Sequence, residues 1–437
     1  MPAPAAATRL RALPDTLDDW LARIERLHHR PIDLSLERVR AVAERLGIGL
    51  SCPLFLVGGT NGKGSTCAML EAILRAAGYR VGLYTSPHLL RFNERARIDG
   101  RPAEDEALIE QFEAVEAVRG GIALTYFEFT TLAILRLFMG APLDAAVLEV
   151  GLGGRLDATN IVEPDCSIVT SIDLDHMDYL GPTREHIGFE KAHIYRRGRP
   201  AILSDPLPPQ SVLDVARELG ADLWRLGRDF NWQGDRQQWA YAGRGLRRHG
   251  LPYPSLRGAN QLRNACGALA ALEALGSRLP VGQQSVRQGL LNVELAGRFQ
   301  VLPGRPAVIL DVAHNPQAAS VLAENLDNMG FCPRTRAVFG MLRDKDVAAV
   351  IDRVAGRIDD WYVGGTAGAR GLAGEDAAAL VRQRHSGASV TAFATVGAAY
   401  DAALSAAQPE DRIVAFGSFL TVAEVMRARN LAVACGR

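Results

Sequence analysis

The sequence predicts an α/β protein of two domains: a parallel-sheet domain carrying a phosphate-binding loop (P-loop), then a smaller Rossmann-like α/β domain. Three observations support this prediction. Short apolar segments of strand length alternate with segments of helical periodicity. A glycine-rich stretch, GTNGKGS (59–65), lies between the first such strand and a helix. At 437 residues the chain is long for one core, and its strand pattern restarts near Gly297. We expect domains over residues 1–296 and 297–437.

The strands of the first domain each run into a loop that is rich in glycine or polar residues. We expect strands over 52–58, 80–85, 143–150 and 165–171. The segment after GTNGKGS has helical spacing, and Gly78 is placed to cap that helix. In a parallel sheet, ligands bind at the carboxyl ends of the strands. The loops after these strands are therefore the candidates for a site.

The rest of the chain predicts an irregular region and then the second sheet. Residues 210–254 contain several tryptophans and turn signals, which indicate a β-rich excursion, and the Ala-rich segment 260–275 indicates a helix. Strands of the second domain are predicted over 301–312, 335–340, 360–364, 389–394 and 411–416.

Composition excludes several classes of protein. The chain is 48% apolar and 22% charged, and 49 basic residues balance 49 acidic ones. Zero net charge gives no reason to expect nucleic acid or an acidic membrane surface as a partner. No run of about 18 apolar residues is present, and the start, MPAPAAATRLRALP, lacks the apolar region of a signal peptide. Six cysteines without a C-x-x-C pair indicate reduced thiols, so we expect a cytoplasmic protein.

GTNGKGS differs from the common P-loop pattern G-x-x-x-x-G-K-[ST]. Gly64 follows Lys63 where a hydroxyl residue is expected, Ser65 comes one position late, and Val57 replaces the first glycine. Backbone N–H groups at the start of a helix still bind phosphate, and Lys63 adds a positive charge. The residues alone leave three interpretations: a damaged nucleotide site, a tight turn, or the loop of a different family.

Lysine is rare in this chain. Only Lys63, Lys191 and Lys345 are present, against 46 arginines. A GC-rich genome that replaces lysine wherever arginine serves explains the ratio, with chance retention as one explanation of the three survivors. The alternative is that each remaining position needs a compact ammonium or a free amine. We therefore expect Lys191 and Lys345 to line the same site as Lys63.

Two further residues are candidate Mg²⁺ ligands at strand ends. Glu149 ends an apolar strand, where P-loop enzymes commonly carry an acidic residue that holds the metal or its water. His176 follows the next strand in SIDLDHMDYLG. A lone histidine is more often structural, and Mg²⁺ prefers oxygen ligands. His176 is a candidate because it falls at the same sheet edge as Glu149.

Ten motifs in order resemble the folylpolyglutamate synthase family of the Mur ligase superfamily. They are GTNGKGS, YTSPHL (84–89), TYFEFTTL (125–132), LEVGLGGRLDATN (148–160), SIDLDHMDYLG (171–181), FEKAHIYR (189–196), GRFQVL (297–302), DVAHNP (311–316), GMLRDKD (340–346) and FGSF (416–419). IDLSLERV (32–39) is similar to the bifunctional bacterial members. In this family a glycine follows the P-loop lysine, so the resemblance removes the damaged-site interpretation.

The resemblance implies an ATP-dependent amide ligase. The γ-phosphate of ATP activates a carboxylate of dihydropteroate or of a folate glutamyl tail, and the amine of L-glutamate attacks the acyl phosphate.

The resemblance also implies ATP-binding residues in the P-loop, namely Gly59, Thr60, Asn61, Gly62, Lys63, Gly64 and Ser65. Ser86, Glu149 and His176 correspond to Mg²⁺ ligands. Lys63, His176 and Lys191 are the expected catalytic residues, with Lys191 carried as a carbamate. Ala192-His193 stands where relatives often have Ala-Gly, so local packing there is expected to differ.

The resemblance also assigns residues to nucleotide and substrates. Arg298, Asp311 and His314 correspond to nucleotide contacts, with capping or domain-linking polarity as the alternative. Expected substrate-binding residues are Phe127, Asp157, Ala158, Lys345 and Ser418. Plain core packing is the alternative for Phe127, and a solvated charge run is the alternative for Lys345.

Three other functions stay open. One is a monofunctional folylpolyglutamate synthase. A second is a Mur-type ligase of cell-wall precursors, which is disfavoured because only some 50 residues precede the P-loop. The third is a regulatory ATPase without ligase chemistry. For the folate ligase we expect a monomer whose partners are small molecules, namely dihydropteroate, folates and L-glutamate, with no nucleic acid and no membrane.

Overall fold

The computed structural model describes residues 13–235 and 237–431. The predictions made for the first twelve residues and for Cys435 lie outside these ranges. Cys52, Cys67, Cys166, Cys266 and Cys332 are free thiols, as expected for reduced cysteines. None of the helices in these ranges has the length and apolar character needed to cross a bilayer.

The first sheet has eight strands, six of them parallel. Its strands are β1 (Leu54–Gly58), β2 (Val81–Tyr84), β3 (Ala96–Ile98), β4 (Arg101–Pro102), β5 (Ala145–Glu149), β6 (Cys166–Val169), β7 (Pro200–Leu203) and β8 (Asp222–Arg225). Their spatial order is β4-β3-β2-β5-β1-β6-β7-β8, and only the short β3 and β4 are antiparallel. The central strand β1 pairs with β5 on one side and β6 on the other. This places the loops after β1, β5 and β6 side by side at one edge.

Helices cover both faces of this sheet. They are α1 (Leu17–Ile24), α2 (Glu37–Leu46), α3 (Lys63–Ala76), α4 (Asp105–Arg119), α5 (Tyr126–Met139), α6 (Met177–Leu180), α7 (Arg184–Ala192), α8 (Gln210–Leu219), α9 (Asn260–Ala274) and α10 (Gln283–Asn292). Helices α3, α9 and α10 pack together on one face, whereas α1, α2, α4, α5, α7 and α8 contribute to the core on the other. Short 3-10 helices occur at Phe92–Arg95, Ala158–Ile161 and Ala355–Arg357.

The region over 210–254 differs in part from the prediction. Its first ten residues form α8, whose buried Val212, Val215 and Ala216 recur at helical spacing. β8 then extends the main sheet. Only the remainder is a β-rich excursion, a three-stranded antiparallel sheet of β9 (Asn231–Gly234), β10 (Trp239–Ala242) and β11 (Arg247–Leu251). The prediction of a β-rich region rested on its tryptophans and turn residues, and the helical spacing at its start was not recognised.

The second sheet has six strands and begins at Gln300. The strands are β12 (Gln300–Leu302), β13 (Ala307–Leu310), β14 (Thr335–Phe339), β15 (Asp360–Gly364), β16 (Ser389–Phe393) and β17 (Arg412–Phe416), in the order β12-β13-β17-β14-β15-β16. All pairs are parallel except β12 with β13. The strand expected over 301–312 is therefore a hairpin, because Pro303-Gly304 and Pro306 turn the chain.

Five helices flank the second sheet. They are α11 (Pro316–Asp327), α12 (Val347–Val354), α13 (Gly374–Arg384), α14 (Val396–Ala406) and α15 (Phe419–Ala428). Helices α11, α12 and α13 pack on one face, and α14 and α15 pack on the other. The two-sheet α/β architecture expected from the sequence is confirmed.

Candidate active site

The GTNGKGS loop connects β1 to α3 and requires glycine at two positions. Gly59 has φ 140° and Gly62 has φ 90°, values that other residues rarely adopt. A Cβ atom on Gly59 would lie 1.9 Å from Thr170 Oγ1, and one on Gly62 would lie 2.5 Å from Asn264 Oδ1. The loop therefore bends tightly against two neighbouring side chains before α3 begins at Lys63.

The end of β6 holds this loop in place. Thr60 donates its backbone N–H to the carbonyl of Ser171 (2.6 Å) and its hydroxyl to the carbonyl of Asp173 (3.1 Å). Thr170 Oγ1 donates to the carbonyl of Asn61 at 2.7 Å. Because the segment after β6 supplies these bonds, it fixes the loop and also carries His176.

Two lysines converge on the loop backbone. Lys63 Nζ donates to the carbonyls of Gly59 and Thr60, each at 3.1 Å. Lys191 Nζ, from α7, donates to the same Gly59 carbonyl at 3.0 Å. Burial, reinforced by the charge of Lys63, lowers the pKa of Lys191 to about 7. About half of the Lys191 side chains are then neutral amines at pH 7, which is the reactive form.

Glu149 and Ser86 meet at the ends of β5 and β2. Glu149 Oε2 accepts the backbone N–H of Ser86 at 3.1 Å. Glu149 is buried, and desolvation raises its pKa although Lys63 and this hydrogen bond oppose the shift. A Cβ atom on Gly64 would lie 3.7 Å from Glu149 Oε2 and 3.6 Å from Arg298 Nη2. The residue after the P-loop lysine thus faces these two charged groups at close range, in the position where the common pattern has a hydroxyl.

His176 belongs to a charged cluster that joins the two domains. Lys345 Nζ donates to Asp175 Oδ1 at 2.6 Å and lies 3.3 Å from His176 Nε2. His314 Nε2 is 3.6 Å from Asp175 Oδ2, and Asn315 Nδ2 donates to the same oxygen at 3.2 Å. Burial opposes ionisation of Asp175, but His314, Lys345 and His176 together hold its pKa well below the usual range. Burial also lowers the pKa of His176 to about 4, against the attraction of Asp175.

The second domain contributes three more of the expected residues. Arg298 is partly buried, and its guanidinium lies 5.0 Å above the ring of Phe419. Asp311 accepts the backbone N–H groups of Phe299 (3.0 Å) and Ala313 (2.8 Å), and burial raises its pKa to about 6. Ser418 caps α15 by accepting the Thr421 N–H at 3.0 Å.

One cavity of about 620 Å³ between the domains contains most of the predicted site. Sixteen of the nineteen residues expected from the sequence line it: Gly59, Thr60, Asn61, Gly62, Lys63, Gly64, Ser65, Ser86, Glu149, His176, Lys191, Arg298, Asp311, His314, Lys345 and Ser418. All three lysines of the chain are among them. The structure therefore brings these residues together, whereas their individual roles remain predictions.

The other three predicted residues, Phe127, Asp157 and Ala158, do not line this cavity. The Phe127 ring lies against Gly151, which itself lines the cavity. Asp157 accepts the backbone N–H of Leu152 at 2.8 Å and caps the 3-10 helix that begins at the buried Ala158. Phe127 and Asp157 contact the glycine loop that follows β5, and Ala158 is the next residue after Asp157. Substrate contact by these three residues remains a prediction.

Several residues that line the cavity were not predicted from the sequence. Gln261 and Asn264 come from α9, and Arg95 and His88 come from the segment after β2. Asn264 Nδ2 donates to Gln261 Oε1 at 2.9 Å, while Arg95 Nε donates to His88 Nδ1 at 2.9 Å. The signal available for α9 was the presence of buried polar residues three apart in an otherwise Ala-rich helix.

Family models match both domains. The Mur ligase middle domain matches residues 57–206, and the glutamate ligase domain of Mur ligases matches residues 297–419. These two matches fall on the P-loop sheet and on the second sheet.

Similar proteins and structures cover almost the whole chain. The dihydrofolate synthase/folylpolyglutamate synthase of Escherichia coli K12 is 47% identical over 411 residues, which is 94% of each chain. A structure of E. coli FolC in complex with DHPP and ADP has a TM-score of 0.91 and 45% identity, covering 95% of this chain and 98% of that one.

A second structure, a bifunctional folylpolyglutamate synthase/dihydrofolate synthase with Mn, AMPPNP and L-glutamate bound, has a TM-score of 0.88 and 46% identity. It covers 95% of this chain and 98% of that chain. Identity at this level over the full length shows common ancestry as well as a common fold. The chain therefore belongs to the folylpolyglutamate synthase family of the Mur ligases.

Proposed function

We propose that the chain is an ATP-dependent ligase that adds L-glutamate to dihydropteroate, forming dihydrofolate, and to folyl glutamates. The observation that supports this most strongly is the cavity of about 620 Å³ that residues of both domains line. It contains a nucleotide loop, a buried carboxylate and a cluster of cations drawn from both domains. A ligase needs all of these together, because ATP, a carboxylic acid and an amino acid must meet in one place.

The reaction begins with activation of the acceptor. A carboxylate is a poor electrophile, so the γ-phosphate of ATP is transferred to it, giving an acyl phosphate and ADP. The amine of L-glutamate then attacks the acyl carbon, and inorganic phosphate leaves as the amide forms. The chain contributes positioning and charge neutralisation: the N–H groups at the start of α3 and the ammonium of Lys63 bind the phosphates.

Ser86, Glu149 and His176 suit a divalent cation. All three line the cavity beside Lys63, and the Glu149 carboxylate is buried there with one N–H donor on Oε2. A buried carboxylate with so few partners is the type of oxygen ligand that Mg²⁺ or Mn²⁺ prefers. When bound, the cation neutralises charge on the phosphates of ATP. The enzyme uses ATP and a divalent metal.

Lys191 is proposed to carry a carbamate. Carbon dioxide adds only to a neutral amine, and burial beside Lys63 provides that form near neutral pH. The product is an anion beside Lys63, in place of two neighbouring cations on the Gly59 carbonyl. Arginine cannot undergo this reaction, which accounts for a lysine at this position in an arginine-rich chain.

The remaining assignments follow from position. Arg298, Asp311 and His314 are proposed to contact the nucleotide from the second domain. Lys345 and Ser418, which line the cavity, are proposed to contact the carboxylates of the substrates. For the pteroate moiety we propose Phe127, Asp157 and Ala158, reached through the adjoining glycine loop. We also propose that the enzyme acts as a monomer in the cytoplasm on small molecules alone.

Ligation of radiolabelled L-glutamate tests this function. Purified enzyme should incorporate the label with either dihydropteroate or tetrahydrofolate as acceptor, and incorporation should require ATP and Mg²⁺. Lys63→Ala should abolish incorporation with both acceptors while circular dichroism shows an intact fold. Incorporation by Lys63→Ala at the native rate would exclude this loop as the nucleotide site. Incorporation with tetrahydrofolate alone would identify a monofunctional folylpolyglutamate synthase.

A further inference from the structure

The two acceptors of the proposed function differ in charge close to the reacting carboxylate. Dihydropteroate brings only the carboxylate that reacts. An acceptor that already ends in glutamate brings two, because glutamate has two carboxylates and only one of them is extended. The second must be neutralised or solvated while the first is activated. A cation that contacts it would favour glutamate-bearing acceptors over dihydropteroate.

Four of the eight lysines and arginines that line the cavity donate hydrogen bonds to other groups of the protein there. Lys63 and Lys191 donate to the Gly59 carbonyl, and Lys345 donates to Asp175. Arg95 is buried between the rings of Phe92 and Tyr126 and donates to His88.

Arg370 differs from these four because its side-chain partner among the described residues, Asp344, is exposed. It lines the cavity from the second domain, and its guanidinium forms two hydrogen bonds with Asp344, at 2.6 and 3.3 Å. The side chains are 55% and 36% exposed. An ion pair this exposed contributes little to stability, so a substrate carboxylate can replace Asp344 at low cost. A guanidinium binds carboxylates in two-pronged geometry, which suits this exchange.

The backbone that carries Arg370 is held firmly while the side chain is not. Leu342 and Gly371 form a β-bridge, and Arg343 donates its backbone N–H to the Arg370 carbonyl at 3.0 Å. The Arg343 guanidinium also donates to the Gly371 carbonyl at 2.7 and 3.2 Å. The Arg370 side chain is thus presented from a fixed position and can change partner without rearranging the loop.

Arg370 is linked to the charged cluster around His176 through its partner. Asp344 precedes Lys345 in the chain, and Lys345 Nζ lies 3.3 Å from His176 Nε2. We propose that Arg370 is a specificity-determining residue that binds the unreacting carboxylate of the acceptor's terminal glutamate, releasing Asp344. This inference rests on the proposed function. It concerns the choice between the two acceptors rather than the chemical step.

Acceptor selectivity of an Arg370→Gln variant tests the inference. The measured quantity is the acceptor ratio, which is kcat/KM with tetrahydrofolate divided by kcat/KM with dihydropteroate. We expect this ratio to fall about tenfold in Arg370→Gln, equivalent to about 1.4 kcal/mol, and to recover in part in Arg370→Lys. The matched control is Arg357→Gln, which removes an equally exposed arginine–aspartate pair, with Asp327, away from the cavity. It should leave the ratio as in the native enzyme.

A second variant keeps the inference testable if Arg370→Gln does not fold. Asp344→Asn frees the Arg370 guanidinium, so it should raise the ratio. The inference is wrong if Arg370→Gln keeps the native ratio, if Asp344→Asn lowers it, or if Arg370→Gln raises the KM of ATP or L-glutamate equally with both acceptors. Native enzyme that joins glutamate to neither acceptor would overturn the proposed function and this inference with it. If the native enzyme forms the amide bond but Arg370→Gln has the same acceptor ratio as the native enzyme, only this inference is overturned.

Discussion

Residue chemistry explains the unusual P-loop. Gly64, which follows Lys63, faces Glu149 and Arg298, and a Cβ atom there would lie at ordinary contact distance, 3.6 to 3.7 Å, from their charged atoms. Ser86 lies beside the same carboxylate, to which it donates its backbone N–H. We expect its hydroxyl to take the role that the hydroxyl of the common pattern has in holding the metal.

The depressed pKa of Lys191 gives a prediction about carbamate formation. With a pKa of about 7, the neutral fraction is about a tenth at pH 6 and about nine-tenths at pH 8. In ¹³C-bicarbonate, NMR of the native enzyme should show a carbamate signal that grows from pH 6 to pH 8. Lys191→Arg should show none at either pH. The same signal in Lys191→Arg, or no signal from native enzyme at pH 8, would contradict the assignment.

The backbone at Gly62 gives a second prediction. Alanine there must adopt φ 90° with its Cβ 2.5 Å from Asn264 Oδ1. We expect Gly62→Ala to lower the free energy of unfolding by about 1 to 3 kcal/mol and to raise the KM of ATP, because the N–H groups at the helix start are displaced. Gly49→Ala is the control, since a Cβ there meets nothing within 4 Å. Urea unfolding and steady-state kinetics check both; equal behaviour of the two variants would refute the prediction.

At the scale of elements, the start of α11 connects stability to the site. Asn315 caps this helix by accepting the Ala318 N–H at 2.9 Å. It also exchanges hydrogen bonds with Asn61 of the P-loop, at 3.1 and 3.2 Å. One side chain thus caps the start of a helix of the second domain and contacts the P-loop of the first.

Asn315→Ala should lower stability and nucleotide affinity together. Losing the cap costs about 1 kcal/mol, and losing the bonds to Asn61 should raise the KM of ATP. Thr395→Ala is matched to it, because Thr395 caps α14 of the same domain by accepting the Ala398 N–H at 3.2 Å, away from the cavity. Thermal unfolding should show similar losses in both variants. If Thr395→Ala raises the KM of ATP as much as Asn315→Ala does, the contact across the domains has no role in binding.

The elements that the sequence predicted well are those with a local signal. The strands ending before Gly59 and at Glu149 are apolar runs whose residues are all buried, so periodicity and the following glycines located them. Helix α8 was missed because its pattern lies among residues typical of strands and turns. The 301–312 segment was read as one strand because its two arms are apolar on either side of the turn at Pro303-Gly304.

At the scale of the whole molecule, the site depends on pairs that no local pattern specifies. Lys345 and Asp175 are 170 residues apart, and Asn61 and Asn315 are 254 apart. Lysine scarcity predicted that Lys345 would line the site, but its partner Asp175 emerged only from the structure. Likewise, Arg370 carries no motif signal, and only the packing of its loop against Leu342 places it in the cavity.

Because both domains line the cavity, we expect steady turnover of ATP to depend on the presence of all the substrates. The first domain supplies the nucleotide loop and the second supplies Arg298, Asp311, His314 and Lys345, so closure of the two should complete the site. A nucleotide switch built on the same loop would hydrolyse ATP without regard to an amino acid.

Phosphate release by the full chain tests the central claim most directly. It is measured with ATP, Mg²⁺ and dihydropteroate, with and without L-glutamate, beside the amount of amide formed. We predict that release depends on glutamate and that one phosphate appears for each amide bond. Release at the same rate without glutamate, or phosphate without amide, would contradict the assignment of this protein as a folate ligase.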